Sequence, residues 1–210
     1  MSGYFVTFEG IDGTGKSTQI ACLIQHLEEQ GIPYRLLREP GGTAVGEGIR
    51  QILLDHKHQN MTDYTELLLF IAARCQLVDE VIRPALAAGE LVICDRFMDS
   101  TIAYQGYGRG LPAREIENLN RLAIGHCLPD RTFLLTLPPA ESQHRLQTSR
   151  ATKQDRLDQA GLAFMAGVAA GYQQLAAAEP SRICVIDAHQ SIEQVATQIW
   201  RQVQMDLRDK

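Results

Sequence analysis

The sequence predicts an α/β fold, one doubly wound domain with a parallel sheet of about five strands flanked by helices. Short runs rich in β-formers alternate along the chain with longer runs of helical period. The short runs are continuously apolar, the pattern of strands covered on both faces. The chain has 210 residues, and no repeat, low-complexity segment or linker divides it. Residues 1–210 therefore read as a single domain.

The expected strands are Tyr4–Glu9, Tyr34–Arg38, Leu91–Asp95, Thr132–Leu137 and Ile183–Asp187. The first, third and fifth end in a carboxylate followed by a polar loop, so ligands are expected beyond the C-terminal strand ends. Between the first two strands, Ile20, Leu23, Ile24 and Leu27 fall on one helix face, and Gly31 with Pro33 stops that helix. Thr62 or Asp63 can cap a long helix carrying Leu67, Phe70, Ile71, Arg74 and Val78, bent or ended near Pro84. Pro112 suits the first turn of the next helix, with Ile116, Leu119 and Leu122 on its buried side. Ser191 and Gln194 form a capping box before Val195, Ile199 and Val203.

Composition narrows the function. Hydrophobic residues make up 45% and charged residues 21%, ordinary for a globular chain with a sizeable core. A net charge of −5 gives no global attraction to nucleic acid or anionic lipid, so an anionic substrate requires a local Arg and Lys cluster. The cysteines Cys22, Cys75, Cys94, Cys127 and Cys184 lack disulfide or zinc spacing, which fits a reduced compartment. No secretory leader is recognised and no apolar run reaches membrane-span length. A cytoplasmic, soluble protein without nucleic-acid or membrane partners is expected.

The strongest single motif is Gly10-Ile11-Asp12-Gly13-Thr14-Gly15-Lys16-Ser17, which satisfies G-x-x-x-x-G-K-[ST] between a strand and an amphipathic helix. Its glycines let the backbone wrap a phosphate and aim N–H groups at it, and the helix N-terminus adds positive potential. Lys16 would reach the β- and γ-phosphates and the Ser17 hydroxyl would ligate Mg²⁺. With Thr18, these residues form the expected ATP-binding set on a P-loop NTPase fold. Thr152-Lys153-Gln154-Asp155 imitates a guanine-reading motif but lies far beyond its strand, and it is not read as one.

Four other segments outline an acceptor pocket: Arg38-Glu39-Pro40-Gly41-Gly42-Thr43, Phe70–Arg74, Asp95-Arg96-Phe97 through Gly110, and the basic stretch Arg145–Arg156. Phe70 and Arg74 share a helix face, so a ring can stack on a base while a guanidinium donates to a base carbonyl. Read alone, Phe70 is an ordinary core position, and the pairing is what changes the reading. Arg38 and Arg96, at the ends of neighbouring strands, can fork onto a phosphate. Tyr104 can fill the space under a sugar and exclude a ribose 2′-OH.

In these segments the chain closely resembles the thymidylate kinase family. F-E-G-I-D-G-T-G-K-S-T, R-E-P-G-G-T, L-L-x-F-x-A-A-R, D-R-F and A-Y-Q-G-x-G-R-G follow in the family's order over about the first two-thirds of the chain. The resemblance implies ATP-dependent phosphorylation of dTMP to dTDP with Mg²⁺. By it, Phe70 stacks on thymine, Arg74 bonds a thymine carbonyl, and Ser100, Thr101 and Gln105 belong to the substrate-binding set. Tyr104 selects deoxyribose, Arg38 and Arg96 hold the acceptor phosphate, and Pro40 shapes the wall. Asp12 faces the sugar 3′-OH and Asp95 acts near Mg²⁺. The catalytic set becomes Lys16, Arg96, Asp12 and two lid arginines, Arg150 and Arg156, in a lid near 145–156, because the P-loop itself has no arginine. The resemblance also implies a homodimer.

The last third departs from the family pattern, and the lid reaches Asp155-Arg156-Leu157-Asp158 where an Asp-Arg-x-Glu run is common. Tyr107 stands where glycine is usual, Phe97 where Tyr or His is usual, and the helix after the lid is unusually rich in Ala and Gly. Two rival functions remain, a P-loop kinase with another acceptor and a nucleotide-dependent switch without turnover.

Overall fold

The protein is described by a computed structural model covering residues 3–149 and 161–208. The lid positions Arg150, Lys153 and Arg156 lie outside the described residues.

The strands β1 (Tyr4–Glu9), β2 (Tyr34–Arg38), β3 (Leu91–Asp95), β4 (Arg131–Thr136) and β5 (Ile183–Asp187) form one parallel sheet in the order β2-β3-β1-β4-β5. Four strands have the expected limits, whereas β4 starts and ends one residue earlier because Arg131 pairs with Val6 in the ladder. Every residue of β1 is buried. Phe5 packs on one face with Leu67, Ile71 and Val92, and Val6 and Phe8 pack on the other with Leu23, Ile93 and Val203. Cover on both faces is the reason the strand reads as a continuous apolar run.

Helix α1 (Lys16–Glu29) buries Ile20, Leu23 and Leu27 as expected, and Gly31 at φ 65° provides the left-handed residue beyond its end. Thr43 caps α2 (Ala44–Leu54), its hydroxyl accepting from the Gly46 N–H at 2.9 Å. Thr62 is the cap of α3 (Asp63–Leu77), so Asp63 becomes its first helical residue. The helix does not break at Pro84. It widens into a π-helical turn over Val78–Ile82, where the Arg83 N–H bonds Val78 O, and resumes as α4 (Arg83–Ala87). The wider turn accommodates a proline that has no N–H to give.

After β3, α5 (Met98–Thr101) passes directly into a second π-helical stretch, Ile102–Gly108. Pro112 precedes α6 (Ala113–Ile124) as its cap residue. The buried side of α6 is Ile116, Asn120, Ala123 and Ile124, with Leu119 partly buried, while Leu122 is 74% exposed. Leu122 therefore departs from expectation, because polar Asn120 takes the inward place to accept a bond from Arg74. The remaining helices are α7 (Pro139–Ser149), α8 (Gly161–Ala178) and α9 (Ile192–Arg208). The capping box before α9 is reciprocal: Ser191 N–H to Gln194 Oε1 at 3.0 Å, and Gln194 N–H to Ser191 Oγ at 3.2 Å.

The small residues of α8 and the unusual Tyr107 explain each other. A Cβ on Gly171 would stand 2.8 Å from Cγ of the Tyr107 ring, and one on Gly167 would stand 3.0 Å from Tyr107 O. Tyr107 thus lies over a glycine notch, and α8 approaches the π-helical stretch closely enough to build a shared core of Ala103, Tyr104, Val168 and Tyr172. Gly171→Leu is expected to destabilise the fold by about 1–3 kcal/mol through overpacking. Tyr107→Gly in the same chain should remove most of that loss in a double-mutant cycle read by urea unfolding.

Candidate active site

The C-terminal ends of β1 and β3, the N-terminus of α1 and the π-helical stretch surround a cleft of about 690 Å³. That volume is within the range that takes small ligands. The loop from Gly10 to Gly15 forms its floor. Gly10 has φ 130°, and a Cβ there would meet Leu135 O at 2.3 Å; Gly13 has φ 87°, and a Cβ there would meet Ser142 O at 2.5 Å. Side chains are excluded at both points, so the backbone itself can line the cradle. Ser142 on α7 braces the loop through a hydroxyl bond to Asp12 O.

Lys16 is 6% exposed, its Nζ donating to Gly10 O at 2.9 Å and Ile11 O at 3.2 Å, with Asp12 Oδ1 at 3.8 Å. Burial, then the nearby Arg96 charge, push its pKa down to about 8. Ser17 and Thr18 are exposed and line the cleft, as do Asp12, Gly13, Thr14 and Gly15. Ile11 instead packs inward with Ala103 and Leu134.

Arg96 follows β3 at φ 69°, a left-handed conformation unusual for a residue with a side chain. Its Nη2 donates to Asp12 Oδ1 at 2.9 Å, its Nη1 to Ser100 Oγ at 3.3 Å and Tyr172 OH at 3.2 Å, and its guanidinium lies over the Tyr104 ring at 5.1 Å. Arg38 reaches the same cleft from the end of β2, where it is in register with Asp95. Its donors go to Pro40 O at 2.9 Å and to both Glu47 oxygens at 2.8 and 3.0 Å, not to neighbouring Glu39. The guanidiniums of Arg38, Arg50, Arg96 and Arg145 and the Lys16 ammonium thus border one cavity in a chain of net negative charge, a local anion site.

Phe70, Pro40, Thr101, Tyr104 and Gln105 line the far wall. Phe70 is half-buried, with its partners on α3 turned to the core. Arg74 stands behind this wall. It is 1% exposed and commits all of its N–H groups to protein acceptors: the Glu39 carboxylate, Phe97 O, Thr101 Oγ1 at 2.8 Å and Asn120 Oδ1 at 2.6 Å. Gln105 is held by Glu66 through Nε2 at 2.8 Å, and the same carboxylate pairs with Arg109. Asp95 lines the cleft with one oxygen, Oδ1, buried and without a hydrogen-bond partner among the described residues; the buried Tyr104 hydroxyl is likewise unmatched among them.

Several groups escaped the sequence reading. Arg50 of α2 lines the cleft and donates to Pro40 O at 2.9 Å. Spacing gives no sign of it, since it falls on an otherwise ordinary helix. Arg145 of α7, by contrast, belongs to the basic stretch expected from the sequence; it borders the cleft beside Ala188, Gln190 and Ile192, and bonds Ala188 O at 3.1 Å. Glu9 and Tyr172 lie behind Arg96, and only the tertiary structure brings them together.

The family profile described as thymidylate kinase matches residues 8–199. The thymidylate kinase of Exiguobacterium sibiricum is 45% identical over 203 residues, covering 97% of this chain and 95% of that one. That of Desulforudis audaxviator is 46% identical, covering 100% and 94%. The crystal structure of thymidylate kinase from Ehrlichia chaffeensis superposes with a TM-score of 0.76 at 36% identity, covering 97% and 99% of the two chains. A parallel five-stranded sheet, a P-loop cradle and near full-length similarity converge: the chain belongs to the thymidylate kinase family.

Proposed function

We propose that the protein transfers the γ-phosphoryl group of ATP to dTMP, yielding ADP and dTDP. The observation that carries this reading is the cleft itself, where a phosphate cradle and a second arginine-bordered anion site share one cavity with a ring-lined wall. A nucleotide switch needs the cradle alone.

The acceptor phosphate is already anionic near neutral pH, with a second pKa of about 6, so no general base is required. Catalysis consists of alignment and charge neutralisation. Lys16 neutralises the transferred group, Arg96 and Arg38 hold the acceptor phosphate, and Asp12 releases its hold on Arg96 to meet the sugar 3′-OH. Phe70 stacks on the base. Thr101 accepts a bond from Arg74 and keeps its own proton to donate, so the guanidinium acts on a thymine carbonyl through that hydroxyl. Tyr104 closes the space under the sugar against a 2′-OH. Arg150 and Arg156 complete the neutralisation from the lid.

Mg²⁺ suits the oxygens present. The free Asp95 Oδ1 and the exposed Ser17 hydroxyl are hard donors, and the described residues hold no cluster of three or more His, Cys, Asp or Glu suited to a metal. Mg²⁺ typically takes few protein ligands and completes its shell with phosphate and water. When bound, it supplies positive charge to the polyphosphate. No helix among the described residues is long and apolar enough to cross a membrane.

A homodimer accounts for the apolar outer face of α2 and α3, where Val45, Ile52 and Leu68 are each about half exposed and the two helices pack side by side. Leu68→Glu is expected to convert a dimer to monomer in sedimentation velocity, while a monomeric parent would discard the idea.

The deciding experiment measures ADP formation with Mg²⁺–ATP and dTMP, dUMP, ribothymidine monophosphate, dCMP, AMP or GMP. Turnover with dTMP and little with the ribose analogue supports both the acceptor and the Tyr104 gate. Preference for a purine monophosphate would overturn the base assignment, and ADP release independent of any acceptor would favour the switch. A pH profile adds a further check. With Lys16 titrating near pH 8 in the free protein and phosphates favouring its charged form, ATP binding takes up a proton. ATP affinity should be flat below pH 8 and weaken towards about tenfold per pH unit above it.

A further inference from the structure

We propose that Glu9 and Tyr172 are positioning residues for Arg96, setting its guanidinium on the acceptor phosphate through a shared hydrogen-bond network. The proposal rests on the reading of Arg96 as a phosphate-holding group.

Glu9 ends β1 and is 0% exposed. It belongs to neither the phosphate cradle nor the cleft wall, yet its carboxylate is almost fully engaged. Oε1 accepts from Phe97 N–H at 2.7 Å and Ser100 N–H at 3.3 Å, and Oε2 from Ser100 Oγ at 2.6 Å and Tyr172 OH at 2.7 Å. Two of these bonds grip the backbone immediately after Arg96. A residue with a side chain keeps φ 69° when its surroundings over-determine it, and Glu9 supplies that constraint from the neighbouring strand.

The other two bonds come from side-chain hydroxyls. When ionised, the Glu9 carboxylate only accepts, and Tyr172 and Ser100 both lie within bonding distance of it; the two hydroxyls also bond each other at 2.8 Å, so the three groups share their protons as one network. Arg96 Nη1 donates to each hydroxyl oxygen, at 3.2 and 3.3 Å. Arg96 Nη2 is left facing Asp12 on the P-loop side. Tyr172 arrives from α8, 76 residues beyond Arg96, so its presence here is not a by-product of local packing. Its ring is buried with Tyr104, which lies beneath the same guanidinium. The arginine is therefore held by the two hydroxyls through Nη1 and by Asp12 through Nη2.

The test compares Tyr172→Phe, Glu9→Gln and Arg96→Ala by steady-state kinetics with each substrate varied, alongside thermal unfolding. Tyr172→Phe removes only the hydroxyl. Glu9→Gln keeps the shape but brings an N–H where Tyr172 and Ser100 need an acceptor. Each is expected to lower kcat/KM for dTMP about tenfold while leaving KM for ATP within about twofold. On the Arg96→Ala background, Tyr172→Phe should add little further loss, because both act through one group. The proposal fails if Tyr172→Phe leaves kcat/KM for dTMP within about twofold of the parent while Arg96→Ala abolishes it. It also fails if either variant shifts the ATP and dTMP parameters equally together with the melting temperature. If Arg96→Ala leaves dTMP kinetics intact, the phosphate-holding role of Arg96 is overturned first, and its positioning partners with it.

Discussion

Replacing Lys16 by methionine is expected to lower kcat roughly a thousandfold, about 4 kcal/mol of transition-state stabilisation. In the free protein the ammonium is buried beside the cradle and held by Gly10 O and Ile11 O, carbonyls it can exchange for phosphate oxygens when ATP binds. Methionine retains the apolar stem and removes only the charge. KM for dTMP should change little, because Arg38 and Arg96 remain on the acceptor side of the cleft. Stability should hold or rise, since burial already disfavours the charged lysine and pushes its pKa to about 8. Kinetics with both substrates and a thermal melt check this, and a loss below about tenfold would remove Lys16 from the centre of the mechanism.

Arg74→Met should produce the largest loss of stability, about 3–5 kcal/mol, by leaving the Glu39 carboxylate buried and unpaired. Arg74 and Glu39 are 1% and 5% exposed, and the guanidinium also ties Phe97 O, Thr101 and Asn120 to α3. Burial raises the Glu39 pKa and the Arg74 charge opposes that rise, so removing Arg74 lifts it further. For a carboxyl raised on folding, stability is fully present below its unfolded pKa of about 4.3 and is lost as pH rises through the folded value. The defect should therefore be smallest in acid and grow towards neutrality. Glu39→Gln added to Arg74→Met should recover a large part of the stability in urea unfolding, whereas equal defects in single and double variants would deny that the pair matters.

These two residues illustrate different kinds of legibility. Lys16 could be assigned from spacing, because the P-loop is a local motif whose geometry is determined by consecutive glycines and one lysine. Arg74 could be placed on the right helix beside Phe70, but spacing alone could not say which side chain would face the cleft. A helix face is about a third of a turn wide, and Arg74 is drawn inward by buried partners, Glu39, Thr101 and Asn120, that lie far from it in sequence. Leu122 shows the same effect, since a polar residue with a buried partner displaced an apolar one from the inward stripe.

The sequence by itself determined the parallel sheet, the cradle and most strand limits, because continuous apolar runs, glycine spacing and caps act over a few residues. It also carried the family motifs and, Arg50 apart, the basic residues bordering the cleft. Only the tertiary structure decided what stands behind them. It joined Glu9, Ser100 and Tyr172 to Arg96, set Tyr107 over the Gly171 notch, and enclosed Arg74 with Glu39. Apart from Ser100 and Arg96, which are four residues apart, those contacts join residues tens to more than a hundred positions apart, and buried hydrogen bonds depend on where partners meet in space, which local spacing does not encode.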